Sequence, residues 1–216
     1  MRRIRCRWAL LAAALTDAPS QAGRPLTLDD AGVNAKGEVH VEAWAERTDG
    51  VRTLNLSPAY AFVEGLEVAA LLSRDTTDRI TGTALQLKWL ITPSRDSGCN
   101  AGLSFGASRA RGGGAREDAA FANGLFSCNG TLLGNLHLNL GLVKPSHERS
   151  VGTWGLALER EIGPVTSHIE WFGAERSKPT WQVGLRGDAT RRLQLDGTIG
   201  RGNGSTRYSL GAKFRF

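Results

Sequence analysis

The strongest constraint on this chain is a two-residue period that runs through most of its length. The last ten residues, RYSLGAKFRF, put Tyr208, Leu210, Ala212, Phe214 and Phe216 on one parity. Arg207, Ser209, Gly211, Lys213 and Arg215 take the other. Successive side chains of an extended strand point to opposite faces, so this segment carries one greasy face and one cationic face. The same division recurs upstream. In LQLKWLI, Leu85, Leu87, Trp89 and Ile91 oppose Gln86 and Lys88. In NLHLNLGL, four leucines oppose Asn135, His137 and Asn139. We find no sustained 3.6-residue apolar stripe and no run near the roughly 18 apolar residues of a membrane helix.

Turn-forming clusters divide the period-two region into twelve segments: 38–47, 51–62, 66–74, 80–91, 99–109, 118–127, 131–143, 151–160, 165–174, 180–188, 193–201 and 206–216. Short connectors (VEG, CNG, EIGP, DATRR) alternate with longer or more polar ones such as AERTDGV, SRDTTDR and VKPSHERS. Short turns on one side and long loops on the other are the arrangement of an outer-membrane barrel. TPSRDSG is longer than that pattern wants. The fold expected is all-β: an antiparallel transmembrane β-barrel of about 12 strands.

A soluble sandwich alternates too, so the aromatics carry the distinction. Trp154, Trp171, Trp181 and Tyr208 fall near one set of strand ends, and Tyr60, Phe62, Trp89, Phe214 and Phe216 near the other, all on the apolar parity. Two aromatic girdles around an aliphatic band suit a wall facing lipid, because these rings favour the headgroup interface.

The opposite parity then lines the lumen. Glu42, Glu46, Glu67, Lys88, Asn135, His137, Asn139, Glu159, His168, Glu170, Arg186, Asp196, Arg207, Lys213 and Arg215 are the expected pore-lining residues. Unpaired charge in a dry interior costs several kcal/mol, so such a lumen is either wet or filled with paired networks. A narrow aqueous passage and a largely plugged interior both fit. Three positions resist the scheme: Trp44 falls on the polar parity, Pro58 inside the second segment calls for a bulge, and the sixth segment alternates poorly.

The N-terminus has the layout of an export signal: Arg2, Arg3, Arg5 and Arg7, then WALLAAAL, then SQA before a cut ahead of Gly23. The expected domains are a cleaved signal over 1–22, a periplasmic lead-in over 23–36, and the barrel over 37–216. The signal holds four of the 27 basic residues and one of the 21 acidic ones. What remains has 23 and 20, so about half of the formal +6 leaves with it. With no basic run left, nucleic acid is not an expected partner. Cys6 also leaves, and Cys99 and Cys128 remain as an even pair at the ends of neighbouring segments, where a disulfide is expected.

Chemistry-bearing motifs are few. GLSFG, with Ser104 at its centre, matches a nucleophile elbow as a string, but it continues as a strand where the elbow needs a strand–turn–helix. The four histidines lie apart, and neither a metal site nor a cofactor is expected. SRARGGGARED (108–118) reads as a flexible cationic loop. It has three readings: solvated, folded in to constrict the pore, or bound to anionic lipopolysaccharide.

The terminal YSLGAKFRF resembles the C-terminal recognition signal of bacterial outer-membrane barrels. The resemblance implies that Phe214 and Phe216 are read by the barrel-assembly machinery. RPLTLDDAGVNAKGEVHVEAW resembles the mature N-terminus of the outer-membrane transporters of meta-pathway phenol degradation. The match lies at Arg24, Pro25, Leu26, Asp29, Asp30, Ala31, Gly32, Gly37 and Glu38. It spans about twenty residues, and no substrate is carried over from it. By length the chain is closer to the small twelve-stranded oligosaccharide channels. The expectation is a non-enzymatic, narrow passive channel for small polar or amphiphilic solutes in the bacterial outer membrane, surrounded by outer-membrane lipids. The alternatives are a closed structural or surface-interaction barrel, and a membrane-embedded lipid-modifying enzyme.

Overall fold

The structure, a computed structural model, describes residues 26–93 and 97–216. The expected signal and its cleavage point lie outside the described residues. Twelve strands follow in order: β1 (Val39–Thr48), β2 (Val51–Val63), β3 (Leu66–Asp75), β4 (Thr81–Leu90), β5 (Gly98–Gly112) and β6 (Ala115–Thr131), then β7 (Gly134–Pro145), β8 (Val151–Ile162), β9 (Val165–Ala174), β10 (Thr180–Asp188), β11 (Leu193–Gly202) and β12 (Ser205–Arg215). Each pairs antiparallel with its sequence neighbour. β1 pairs with β12 from His40 opposite Arg215 to Thr48 opposite Arg207, so the sheet closes and no edge is left unpaired. We call the end where β1 begins and β12 finishes the terminal rim, and the other the loop rim.

The wall is turned inside out relative to a water-soluble barrel. Leu85, Leu140 and Leu210 are 59%, 59% and 73% exposed on the outer face, while Glu67, Gln86 and Lys88 are each 1% exposed inside. A continuous apolar belt of this kind is a surface for hydrocarbon, not for water. Trp171, Trp181 and Tyr208 stand on its outer face near the loop rim, and Tyr60, Phe62, Trp89, Phe214 and Phe216 near the terminal rim. Trp154 meets Trp171 edge-on with ring centroids 4.9 Å apart.

The hairpins depart from the expected contrast between short turns and long loops. At the loop rim three connections shrink to two residues. Asp49 with Gly50, Gly113 with Gly114, and Asn203 with Gly204 all have positive φ at both positions. Consecutive left-handed residues make the turn whose twist matches that of the strands. The ladder therefore continues past the point where alternation fades. SRARGGGARED is accordingly a strand hairpin turning at Gly113 and Gly114, not a flexible loop, and it does not fold into the lumen.

Pro58 also departs from expectation. It faces Val41 in an unbroken β1–β2 register, and the irregularity lies nearer the hairpin end, between Ala61 and Val63. The weak alternation of β6 has a steric cause. Phe121 and Leu125 point inward and are buried, while Ala120, Ala122 and Phe126 point outward, so both faces are apolar. Phe121 lies over Gly106, where a Cβ would come within 2.6 Å of its ring.

Candidate functional site: a plugged polar lumen

The inward parity builds a layer of ionised and amide side chains at mid-barrel. Gln86 and Lys88 come from β4, His137 and Asn139 from β7, Glu159 from β8, His168 and Glu170 from β9, and Gln182 from β10, all buried. Such groups need partners. Many of those partners come from residues 26–36, which lie inside the barrel. This corrects the expectation of a periplasmic lead-in for the described part of 23–36.

The segment runs down the lumen and turns at Ala35 to Glu38, where the Glu38 amide donates to the Ala35 carbonyl, and then enters β1. Its own polarity explains its place. The Glu170 carboxylate accepts from the amides of Thr27 (2.8 Å) and Leu28 (3.1 Å) and from the Gln182 side chain (2.8 Å). Asp29 exchanges backbone hydrogen bonds with the Asn139 side chain at 2.9 and 2.7 Å. Its carboxylate accepts from Gln86 Nε2 at 2.9 Å. Lys88 Nζ lies 2.8 Å from Asp30 and 3.8 Å from Asp29. The Ala31 amide donates to Ser127 Oγ, and the Asn34 amide to Glu67. Leu26 and Leu28 are buried against Ala157 and Phe172. The plug thus meets side chains from much of the barrel's circumference without joining its ladder.

Two glycines make room for it. A Cβ on Gly155 would lie 2.1 Å from Leu28 Cδ2, and one on Gly102 would lie 3.2 Å from the Ala31 carbonyl oxygen. A side chain at Gly155 would require Leu28 to move, and one at Gly102 would crowd the Ala31 carbonyl.

The structure places all fifteen expected pore-lining residues on the inward parity, and most of the charged ones form ion pairs. Arg186 bridges to Glu159 at 2.9 Å, Lys213 to Glu42 at 3.3 Å, and Arg207 to Glu46 at 2.7 Å. His137 and His168 lie 3.4 and 3.5 Å from Glu159 and Glu170. Asp196, 8% exposed, faces Arg186 across β10 and β11. Asn135 and Arg215 sit at the terminal rim. Asn135 accepts from the Gly130 amide, and Arg215 reaches Asp188 and Gln194. Trp44 points inward opposite Gly211. Beside the plug, a cavity of about 400 Å³ remains toward the terminal rim. Arg186, Lys213 and Arg215 line it together with Asp30, Glu67 and Asp188.

Residues that sequence reasoning missed belong mostly to the plug and its contacts: Thr27, Ser127, Phe121 and Phe172. Lys88 faces Glu67 across β3 and β4, yet its closest acids are Asp30 and Asp29 of the plug. Ser104 lies mid-strand, 1% exposed, and accepts from Asn123 Nδ2 at 3.2 Å, so it is not on an elbow. Among the described residues no group of three or more His, Cys, Asp or Glu could hold a metal ion. A disulfide joins Cys99 to Cys128, which face each other across β5 and β6 at the terminal rim.

The chain matches the sequence family described as uncharacterised conserved protein UCP029691 over residues 10–216. No curated protein matches it. Its fold is similar to that of the KdgM porin solved in complex with disordered oligogalacturonate, with a TM-score of 0.63 at 15% identity, covering 82% of this chain and 99% of that one. It is also similar to the outer membrane protein Omp33 of Acinetobacter baumannii, with a TM-score of 0.57 at 12% identity, covering 85% and 100%. The COG4313 outer membrane channel of Pseudomonas putida F1 gives a TM-score of 0.58 at 10% identity, covering 86% and 97%.

Proposed function

We propose that this chain, which belongs to the family described as uncharacterised conserved protein UCP029691, is a narrow passive channel of the bacterial outer membrane for small polar or amphiphilic solutes. The terminal rim faces the periplasm. The observation that carries this reading is the contrast between the two faces of one sheet. An apolar wall fits a bilayer, and a lumen of paired ions and amides with a cavity of about 400 Å³ fits water and polar solutes. The shared fold of solved outer-membrane channels supports it.

Residues 26–36 set the aperture. They are held by side chains and not by strand pairing, so they can shift without opening the barrel. The cavity presents Arg186, Lys213 and Arg215 beside Asp30 and Glu67. A lumen of both signs favours neutral or zwitterionic solutes over the acidic sugar chain present in the KdgM structure. The resemblance to meta-pathway transporters rests on the lead-in alone and supplies no solute.

A second reading, a closed barrel working through its surface, is favoured by the depth of the plug's hydrogen bonding. An enzyme is disfavoured because His40, His137 and His168 all face the lumen, away from any lipid substrate. Liposome swelling separates the first two readings. Reconstituted protein should admit small zwitterions faster than trisaccharides, whereas swelling equal to that of empty liposomes for every solute identifies the closed barrel.

A further inference from the structure

The outer face of β3 to β7 changes character abruptly at the loop rim. One row across the sheet runs Arg74, Thr81, Arg111, Arg116, each facing the next. One row lower, Thr83 faces Arg109 and Arg109 faces Asp118. Below that, Leu85, Ala107, Ala120 and Lys144 stand in line. Five outward cations therefore meet one outward acid. At the terminal rim the same five strands carry no outward charge: β4 shows Trp89, β6 shows Phe126 and β7 shows Leu138. Asp118 binds Arg109 at 2.7 Å and also pairs with Arg116. A net excess of positive charge remains.

Beneath this cluster is a groove of about 550 Å³. Ala107 and Ala120 form its floor, Leu85 flanks it, and Arg109 and Lys144 stand at its head. Two adjacent alanines between Leu85 and the stem of Lys144 leave a trough in a wall that elsewhere carries larger apolar side chains. Cations at the head of an apolar trough are complementary to one kind of amphiphile, with phosphate above and acyl chain below. Arginine suits the phosphate because its planar fork donates two parallel hydrogen bonds.

We propose that this face binds a phosphorylated, multiply acylated lipid of the outer leaflet. Arg109, Arg111, Arg116 and Lys144 hold its phosphates, and one acyl chain lies over Ala107 and Ala120. The inference rests on the assignment to the outer membrane and deepens it, since it gives the barrel a fixed lipid neighbour on one side only. It is independent of any current through the lumen.

The test is binding of purified bisphosphorylated lipid A to the folded barrel in a neutral detergent. The arms are the same lipid stripped of phosphate, inorganic phosphate alone, and two variants. One variant combines Arg109→Gln with Lys144→Gln, and the other is Ala120→Leu, which fills the trough and leaves every charge in place. We expect each variant to bind lipid A about tenfold more weakly or worse, a difference of about 1.4 kcal/mol. We also expect the stripped lipid to bind far more weakly, and inorganic phosphate not to compete at matched concentration. Variant barrels with the circular dichroism and thermal midpoint of the wild type show that folding is intact. Equal affinity of both variants, equal affinity of the stripped lipid, or competition by inorganic phosphate overturns the proposal. A barrel that binds lipid A but passes no current overturns the channel instead.

Discussion

Lys88 shows how a single side chain organises the lumen. It is 1% exposed, and its nearest acids, Asp29 and Asp30, belong to the plug. Breaking a buried pair from one side leaves the remaining charges uncompensated and costs about 3–5 kcal/mol. Lys88→Met should therefore loosen residues 26–36 and lower the thermal midpoint. Limited proteolysis reads the first effect, and unchanged protection of the plug in Lys88→Met would contradict it. Glu170→Gln acts on the same segment by a different route. It keeps the shape but turns charge-assisted acceptance from the Thr27 and Leu28 amides into neutral bonds, a loss of about 1–2 kcal/mol. At this scale the sequence was legible wherever parity decided the direction of a side chain. Glu67, Glu159 and Arg186 could be placed inward from alternation alone. Phe172 and Leu28 could not, because their burial depends on a segment inside the barrel that has no period of its own, and Phe121 could not, because its ring lies over Gly106.

At the scale of elements, the strands were readable because each one repeats a single rule: apolar outward, polar inward. β9 and β10 end where the alternation ends. The loop-rim hairpins ran longer than expected because pairs such as Asn203 with Gly204 supply a two-residue turn, letting backbone hydrogen bonds continue without hydrophobic patterning. Pro58 was expected to need a bulge, yet it faces Val41 in an unbroken β1–β2 register. Two consequences follow from the ends of strands. The Cys99–Cys128 disulfide closes a loop 29 residues apart in sequence, so reduction should cost about 3 kcal/mol of stability. Thermal unfolding with and without reductant measures this, and an unshifted midpoint would count against a stabilising role. Phe216, whose amide donates to Val39 and whose ring packs edge-on against Phe214, finishes both the seam and the aromatic belt. Deleting it should reduce the fraction of protein inserted in membranes while leaving the unitary conductance of inserted molecules unchanged. Normal insertion of the truncated chain would remove Phe216 from the assembly signal.

At the scale of the whole molecule, two solvents shape one sheet. Lipid selects the outer parity, and a polar interior selects the inner one. The plug reconciles them by supplying carboxylates and amides where the wall alone leaves charge unmatched. At Gly155 the wall lies directly against Leu28 of the plug, where an added Cβ would come 2.1 Å from Leu28 Cδ2. A larger residue there displaces the plug and leaves the outer face untouched. The most direct measurement is single-channel conductance in planar bilayers, comparing the wild type with Gly155→Leu. The wild type should give small or infrequent unitary steps, and the variant larger, longer openings. Silence from both proteins, each shown to be folded and inserted, would contradict a channel whose aperture is set by residues 26–36.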